Sequence, residues 1–166
     1  MCRRGDVKMK RKAIKKNAPT KSSHKKIAIV VSLFNQKISD GLLNGAVQTL
    51  QENGYTGEGI KIFKVAGALE IPLIAKKIGL SKKYAGVVAL GCGIRGETPH
   101  FEYVSLGVTL GCQQAQLDTG CPLAFGVLTV NNEEQAIARS SNNEFNKGRE
   151  AVFALLDSLA ILEQIT

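Results

Sequence analysis

The chain is short of the residues that build metal centres. Its four cysteines, Cys2, Cys92, Cys112 and Cys121, are scattered and form no Cys-x-x-Cys pair, and it has two histidines, His24 and His100. With one imidazole in the body of the chain, neither a zinc site nor any other metal or cofactor is expected. The thiols read as buried, reduced side chains of a cytoplasmic protein. No apolar run is long enough to span a bilayer. The first two dozen residues lack the apolar stretch of a secretory signal. They are poor in acids but Lys-rich, and lack the amphipathic face of a transit peptide. No internal repeat is present.

Acids are missing from one end. Of 22 Lys/Arg and 14 Asp/Glu, eleven bases and one acid (Asp6) fall in residues 1–26, leaving eleven bases against thirteen acids in the rest. The net charge of +8 is therefore a property of the amino-terminal segment, and the body offers no basic groove for nucleic acid. Residues 1–24 are expected to form a disordered basic tail. Weak, salt-sensitive attraction to a polyanion is the one kind of partner its charge offers. Residues 25–166 have the length of one domain.

What is present is an alternation of two patterns. Ile27 to Val31 is a continuous apolar run, as for a strand covered on both faces. Ile38, Leu42, Leu43, Ala46, Val47 and Leu50 recur at helical spacing, and Asn53-Gly54 closes that helix. Ile60–Val65 is a second strand. A second helix carries Leu69, Ile71, Leu73, Ile74 and Ile78, with Pro72 in its first turn and Gly79 at its end. Ala85–Leu90 is the third strand and Phe101 to about Leu117 the third helix. Leu123–Thr129 is the fourth strand, and Asn131 is placed to cap a short helix bearing Glu133, Glu134 and Arg139. A last helix runs from about Lys147 to Leu162. This order predicts an α/β fold with right-handed crossovers: a flavodoxin-like three-layer α/β/α sandwich on a four-stranded parallel sheet of order 2-1-3-4. Ligands of such sheets bind beyond the carboxyl ends of the strands. Those ends are Phe34-Asn35, Gly67 to Glu70, Gly91 to His100, and Thr129 to Asn132.

The third of these ends carries the most chemistry. The strand runs into Gly91-Cys92-Gly93-Ile94-Arg95-Gly96-Glu97-Thr98-Pro99-His100. Glycines let backbone N–H groups approach a ligand. Thr98 as N-cap and Pro99 at the first helical position predict a helix start, and helix starts attract anions. His100 in the first turn adds an imidazole, the side chain most often used for general acid/base work. Together these suggest a catalytic site for a phosphorylated substrate.

At these residues the chain resembles the lumazine synthase family. The matching segments are Phe34-Asn35, Gly67 to Pro72, Gly91 to Val104, Phe125 to Thr129, Glu134 to Arg139 and Asn146 to Ala151, in order across residues 26–166. The resemblance implies a transferase of riboflavin biosynthesis. Its two small-molecule substrates would be 5-amino-6-(D-ribitylamino)uracil and 3,4-dihydroxy-2-butanone 4-phosphate, and its product 6,7-dimethyl-8-ribityllumazine. It also implies roles by position. Phe34 stacks on the pyrimidine, with Asn35 beside it. Ala68, Leu69 and Glu70 hold the ribityl chain and ring, and the backbone of Cys92, Gly93 and Ile94 lies against the pyrimidine. Gly96, Glu97 and Thr98 cradle the phosphate, and His100 is the acid/base residue. Phe125, Arg139 and the supporting Lys147 come from a neighbouring subunit, Arg139 pairing with the phosphate. Relatives often carry an aromatic where Leu69 stands, and usually a proline where Ala66 stands.

The family implies a homo-oligomer built on pentamers. The Ser140 to Phe145 loop has a length compatible with a 60-subunit shell but lacks the Gly-Thr-Lys pattern of shell formers, so pentamer, decamer and shell all stay open. Two other classes of function also stay open. One is a non-catalytic flavin- or nucleotide-binding protein of flavodoxin-like fold. The other is a nucleic-acid binder driven by the tail.

Overall fold

The computed structural model describes residues 25–165. The expected basic tail, residues 1–24, lies outside the described residues, as does Thr166. Four strands alternate with five helices: β1 Lys26–Ser32, α1 Gln36–Glu52, β2 Ile60–Val65, α2 Ile71–Ser81, β3 Tyr84–Ile94, α3 His100–Thr119, β4 Leu123–Val130, α4 Glu133–Ser140 and α5 Lys147–Ile165. All strand pairs are parallel and the order is β2-β1-β3-β4, as the alternation predicts. No helix among the described residues is long and apolar enough to cross a membrane.

The unbroken apolar run of β1 serves two cores at once. Successive strand residues point to opposite faces. Ile27, Ile29 and Val31 pack with Ile38, Leu42 and Leu50 of α1 and with Val152, Leu155 and Leu159 of α5. Ala28 and Val30 pack with Ile71, Ala75 and Ile78 of α2 and with Val108 and Cys112 of α3. The result is a three-layer sandwich with all four strands ending toward one rim.

Several boundaries differ from expectation. The second helix does not end at Gly79; it continues to Ser81, and Lys82 takes the left-handed conformation (φ 57°). Gly79 is instead a crossing point, because a Cβ there would lie 2.6 Å from Thr119 Oγ1. The third strand does not stop at Leu90. Its pairing with β1 ends there, but β4 carries it on through Gly91, Cys92, Gly93 and Ile94. The first two glycines therefore belong to the strand: a Cβ on Gly91 would press on Ser32 Cβ at 3.2 Å, and one on Gly93 would meet the Phe101 ring at 3.4 Å. Thr98 is not the cap of the third helix. Pro99 holds that position and His100 is the first helical residue. The cap of α4 is Asn132, whose side chain accepts from Gln135 N, while Asn131 is engaged elsewhere.

Candidate functional site

The rim where the strands end is built from three short connections. After β1, Phe34 N donates to Ala66 O (3.2 Å) and to Ser32 Oγ (3.2 Å). This ties the β1 exit to that of β2 and leaves the Phe34 ring 68% exposed. Asn35 follows in the left-handed region (φ 55°), which Asn tolerates better than most residues. Its Nδ2 donates to Cys92 O at 2.9 Å, linking the β1 and β3 exits. Asn35 thus acts through its backbone shape and its amide, both directed at the frame of the rim.

After β2, Ala68–Glu70 form a short 3-10 turn leading into α2. Glu70 Oε2 accepts from Gly67 N at 2.8 Å, so this carboxylate fastens the start of the turn. Leu69 is half exposed and its tip lies over Gly107 of α3, where an added Cβ would come within 2.9 Å. Pro72 makes the same kind of close contact with Gly111. The Ala68–Glu70 turn is therefore braced on α3, the helix that begins with His100.

After β3, Cys92 is buried and its thiol is pushed up to about 11 by burial. It stays protonated at neutral pH and is no nucleophile. Gly93 and Ile94 are half-buried, whereas Gly96, Glu97, Thr98 and His100 are exposed. Arg95, between them, is the best-connected side chain of the rim. Its Nε donates to Asn131 Oδ1 at 3.1 Å, its Nη1 pairs with Glu102, and its guanidinium carbon lies 4.7 Å from the Phe101 ring centroid. Sequence reasoning gave Arg95 no role. The available signal was an arginine seven residues before a glutamate, with the turn between them.

The remaining candidates lie apart from this rim. Phe125, Arg139 and Lys147 line a hollow of about 350 Å³ at the β4 edge, together with Thr129, Val130 and Glu150. None of Phe34, Glu70, Cys92 or His100 lines it. Arg139 Nη1 donates to Gln135 O of its own helix (3.1 Å), and Lys147 pairs with Glu150. The two elements that carry these cations are tied together by Asn146. This side chain is fully buried. Its Nδ2 donates to Ser140 O (2.8 Å), Ser141 O (3.0 Å) and Gly41 O (3.1 Å), and its Oδ1 accepts from Gly148 N (2.9 Å) and Arg149 N (3.2 Å). It joins the end of α4 to the start of α5. Sequence reasoning missed it as well; the only signal was a polar residue two positions before a glycine.

Among the described residues no group of three or more His, Cys, Asp or Glu is placed to hold a metal ion. The arrangement is thus a rim with a titratable ring and exposed loop amides, plus a separate cationic hollow with an aromatic wall. Comparison with known proteins gives this pattern a family. The family model of 6,7-dimethyl-8-ribityllumazine synthase matches residues 24–163. The chain is 49% identical over 140 residues to 6,7-dimethyl-8-ribityllumazine synthase 1 of Caulobacter vibrioides, covering 84% of this chain and 92% of that one. It is 46% identical over 140 residues to the synthase of Syntrophus aciditrophicus (84% and 91%), and 47% identical to that of Nitratidesulfovibrio vulgaris (84% and 90%). By fold, by rim and by similarity along nearly all of its described length, the chain belongs to the 6,7-dimethyl-8-ribityllumazine synthase family.

Proposed function

We propose that this protein condenses 5-amino-6-(D-ribitylamino)uracil with 3,4-dihydroxy-2-butanone 4-phosphate to give 6,7-dimethyl-8-ribityllumazine. The 5-amino group attacks the ketone to form an imine with loss of one water, phosphate is eliminated, and the ribitylamino nitrogen closes the second ring with loss of a second water. The observation that carries this reading is the placement of exposed His100 at the first position of α3, directly after the exposed Gly96-Glu97-Thr98 loop. That loop offers backbone N–H groups to the phosphate, and the imidazole moves protons between amine, carbonyl and leaving water. Phe34, exposed at the β1 exit, stacks on the pyrimidine, and Glu70 takes the ribityl hydroxyls. Both reactants are intrinsically reactive, so holding them together supplies most of the rate.

The hollow of Phe125, Arg139 and Lys147 completes the site when it meets the rim of a neighbouring copy, Arg139 taking the phosphate. This requires an oligomer, read as a pentamer or an assembly of pentamers. Tyr103, Leu106 and Leu110 of α3 and Leu73 and Leu80 of α2 are exposed, apolar side chains that contact with a neighbouring copy would cover. We assign the protein to the cytoplasm, a compartment in which free thiols such as Cys92, Cys112 and Cys121 stay reduced. An assay with both substrates, following lumazine absorbance, tests the reaction. Product formation supports it, and a bound chromophore without turnover returns the non-catalytic ligand-binding reading. Light scattering on the same sample tests assembly, and a monomer with full activity would overturn the shared site.

A further inference from the structure

The loop Gly96-Glu97-Thr98 has little support of its own. All three residues are exposed, and a Cβ on Gly96 would meet no atom within 4 Å. None of the backbone hydrogen bonds formed by turns and loops among the described residues involves them. The loop's shape therefore depends on how its ends are held.

One residue holds both ends, the first through its main chain and the second through its side chain. At the start, Arg95 N donates to Val130 O at 2.9 Å, extending the β3–β4 ladder by one residue. At the finish, the Arg95 guanidinium pairs with Glu102 in the first turn of α3 and lies over the Phe101 ring. That ring in turn lies over Gly93, where an added Cβ would come within 3.4 Å of it. Sideways, Nε reaches Asn131 in the turn between β4 and α4. A planar fork that donates in two directions while stacking on a ring is specific to arginine. A lysine offers one point charge and no face.

We infer that Arg95 is a positioning residue for phosphate binding: it clips the ends of the Gly96–His100 segment so that its backbone amides and the His100 ring stand in one arrangement before substrate arrives. The inference rests on the proposed reaction. Ordering the loop in advance spares the substrate that cost on binding. The Glu102 carboxyl is held below the usual carboxylate range by its own backbone N–H and by Arg95, so the pair stays ionised across the neutral range. The residues concerned are exposed, and an exposed pair adds little to global stability. Loss of the clip should therefore be felt in ligand binding and not in folding.

The test uses the full chain with Arg95→Met, Arg95→Lys, Glu102→Gln and the Arg95→Met/Glu102→Gln double variant. Arg95→Met is expected to raise the KM of the phosphorylated ketone about 10-fold and to leave that of the ribitylaminouracil within about 2-fold, as a small misplacement allows. Melting temperature should be unchanged, Arg95→Lys should recover little, and the double variant should be no worse than Arg95→Met alone, since both remove one device. Equal rises in both KM values, full rescue by lysine, or additive losses would overturn the inference. Titration of inorganic phosphate followed by phosphorus NMR gives a readout free of turnover. About 10-fold weaker binding to Arg95→Met supports the clip, and equal binding to wild type overturns it, whether or not wild type makes lumazine. Absence of product from wild type counts against the proposed reaction alone. Should Arg95→Met not fold, Glu102→Gln, which cuts one end of the clip, must show the same KM split on a smaller scale.

Discussion

Replacing Asn146 by alanine tests how the cationic hollow is held in shape. The residue is fully buried and occupies the N-cap position before α5, accepting from Gly148 N and Arg149 N. Loss of such a cap costs about 1 kcal/mol. Its amide also faces three carbonyls, those of Gly41, Ser140 and Ser141, and each buried group left unpaired costs about 1–3 kcal/mol. An amide has two hydrogens, so one of the three contacts is shared, and one or two carbonyls are stranded on truncation. The total is about 2–7 kcal/mol, a large share of the stability of a single domain. The surroundings cannot close over the gap, because α1 already touches both α5 and α4: a Cβ on Gly148 would sit 2.0 Å from Leu42 O, and one on Gly41 would sit 2.5 Å from Ser140 O. Urea unfolding at fixed protein concentration should show a lower midpoint with unchanged slope, and the melting temperature should fall by at least about 4 °C. Asn146→Asp keeps the cap but turns a carboxylate toward the carbonyls, and should be no more stable than the alanine variant at pH 7. A loss below about 1 kcal/mol for Asn146→Ala would refute the reasoning, since even a cap alone is worth that much.

Other substitutions separate chemistry from binding and packing. His100→Ala should lower turnover about 10- to 100-fold without abolishing it, within the general range for acid/base groups; total inactivity of a folded variant would contradict a rate derived chiefly from proximity. Arg139→Ala should raise the KM of the phosphorylated ketone and leave kcat nearly unchanged, and an unaltered KM would remove Arg139 from the site. Gly79→Ala should destabilise by about 1–3 kcal/mol through overpacking, because its new methyl would meet the Thr119 side chain, and a neutral result in thermal unfolding would mean that α2 and α3 separate freely. Burial pushes Cys92 up to about 11 and Cys112 up to about 12. The unfolded thiols ionise near 9, so between about pH 9 and 11 the unfolded state loses protons that the folded state keeps. Stability should therefore fall as pH rises through that window, and a cysteine-to-serine pair at 92 and 112 should flatten the profile.

Local signals in the sequence are enough for the skeleton. The apolar run of β1, the helical spacing of α1 and the glycines after α1 and α3 each act within a few residues, and each is legible as such. Gly79 and Gly120 show where legibility stops. Both follow an apolar helical stretch, yet Gly120 is a left-handed cap and Gly79 is a contact between helices, a difference made by residues 40 positions away in the sequence. Gly91 and Gly93 misled in the same way: they read as a turn, but β4 continues the ladder past them. In the site, His100 and its loop are contiguous and stand out. Phe125, Arg139 and Lys147 come from three elements and were assembled through family resemblance alone. Arg95 and Asn146 act by bridging segments, and no local pattern marks a bridge.

The alternation along β1 has one more consequence. The side chains turned toward α1 and α5 are isoleucines and a valine, and those turned toward α2 and α3 are an alanine and a valine. A slip of this strand by one residue would trade oil for oil, so water would not punish the error. Bulk would: isoleucines would jam the shallow layer while alanine left voids in the deep one. In this sheet the correct register is enforced by size.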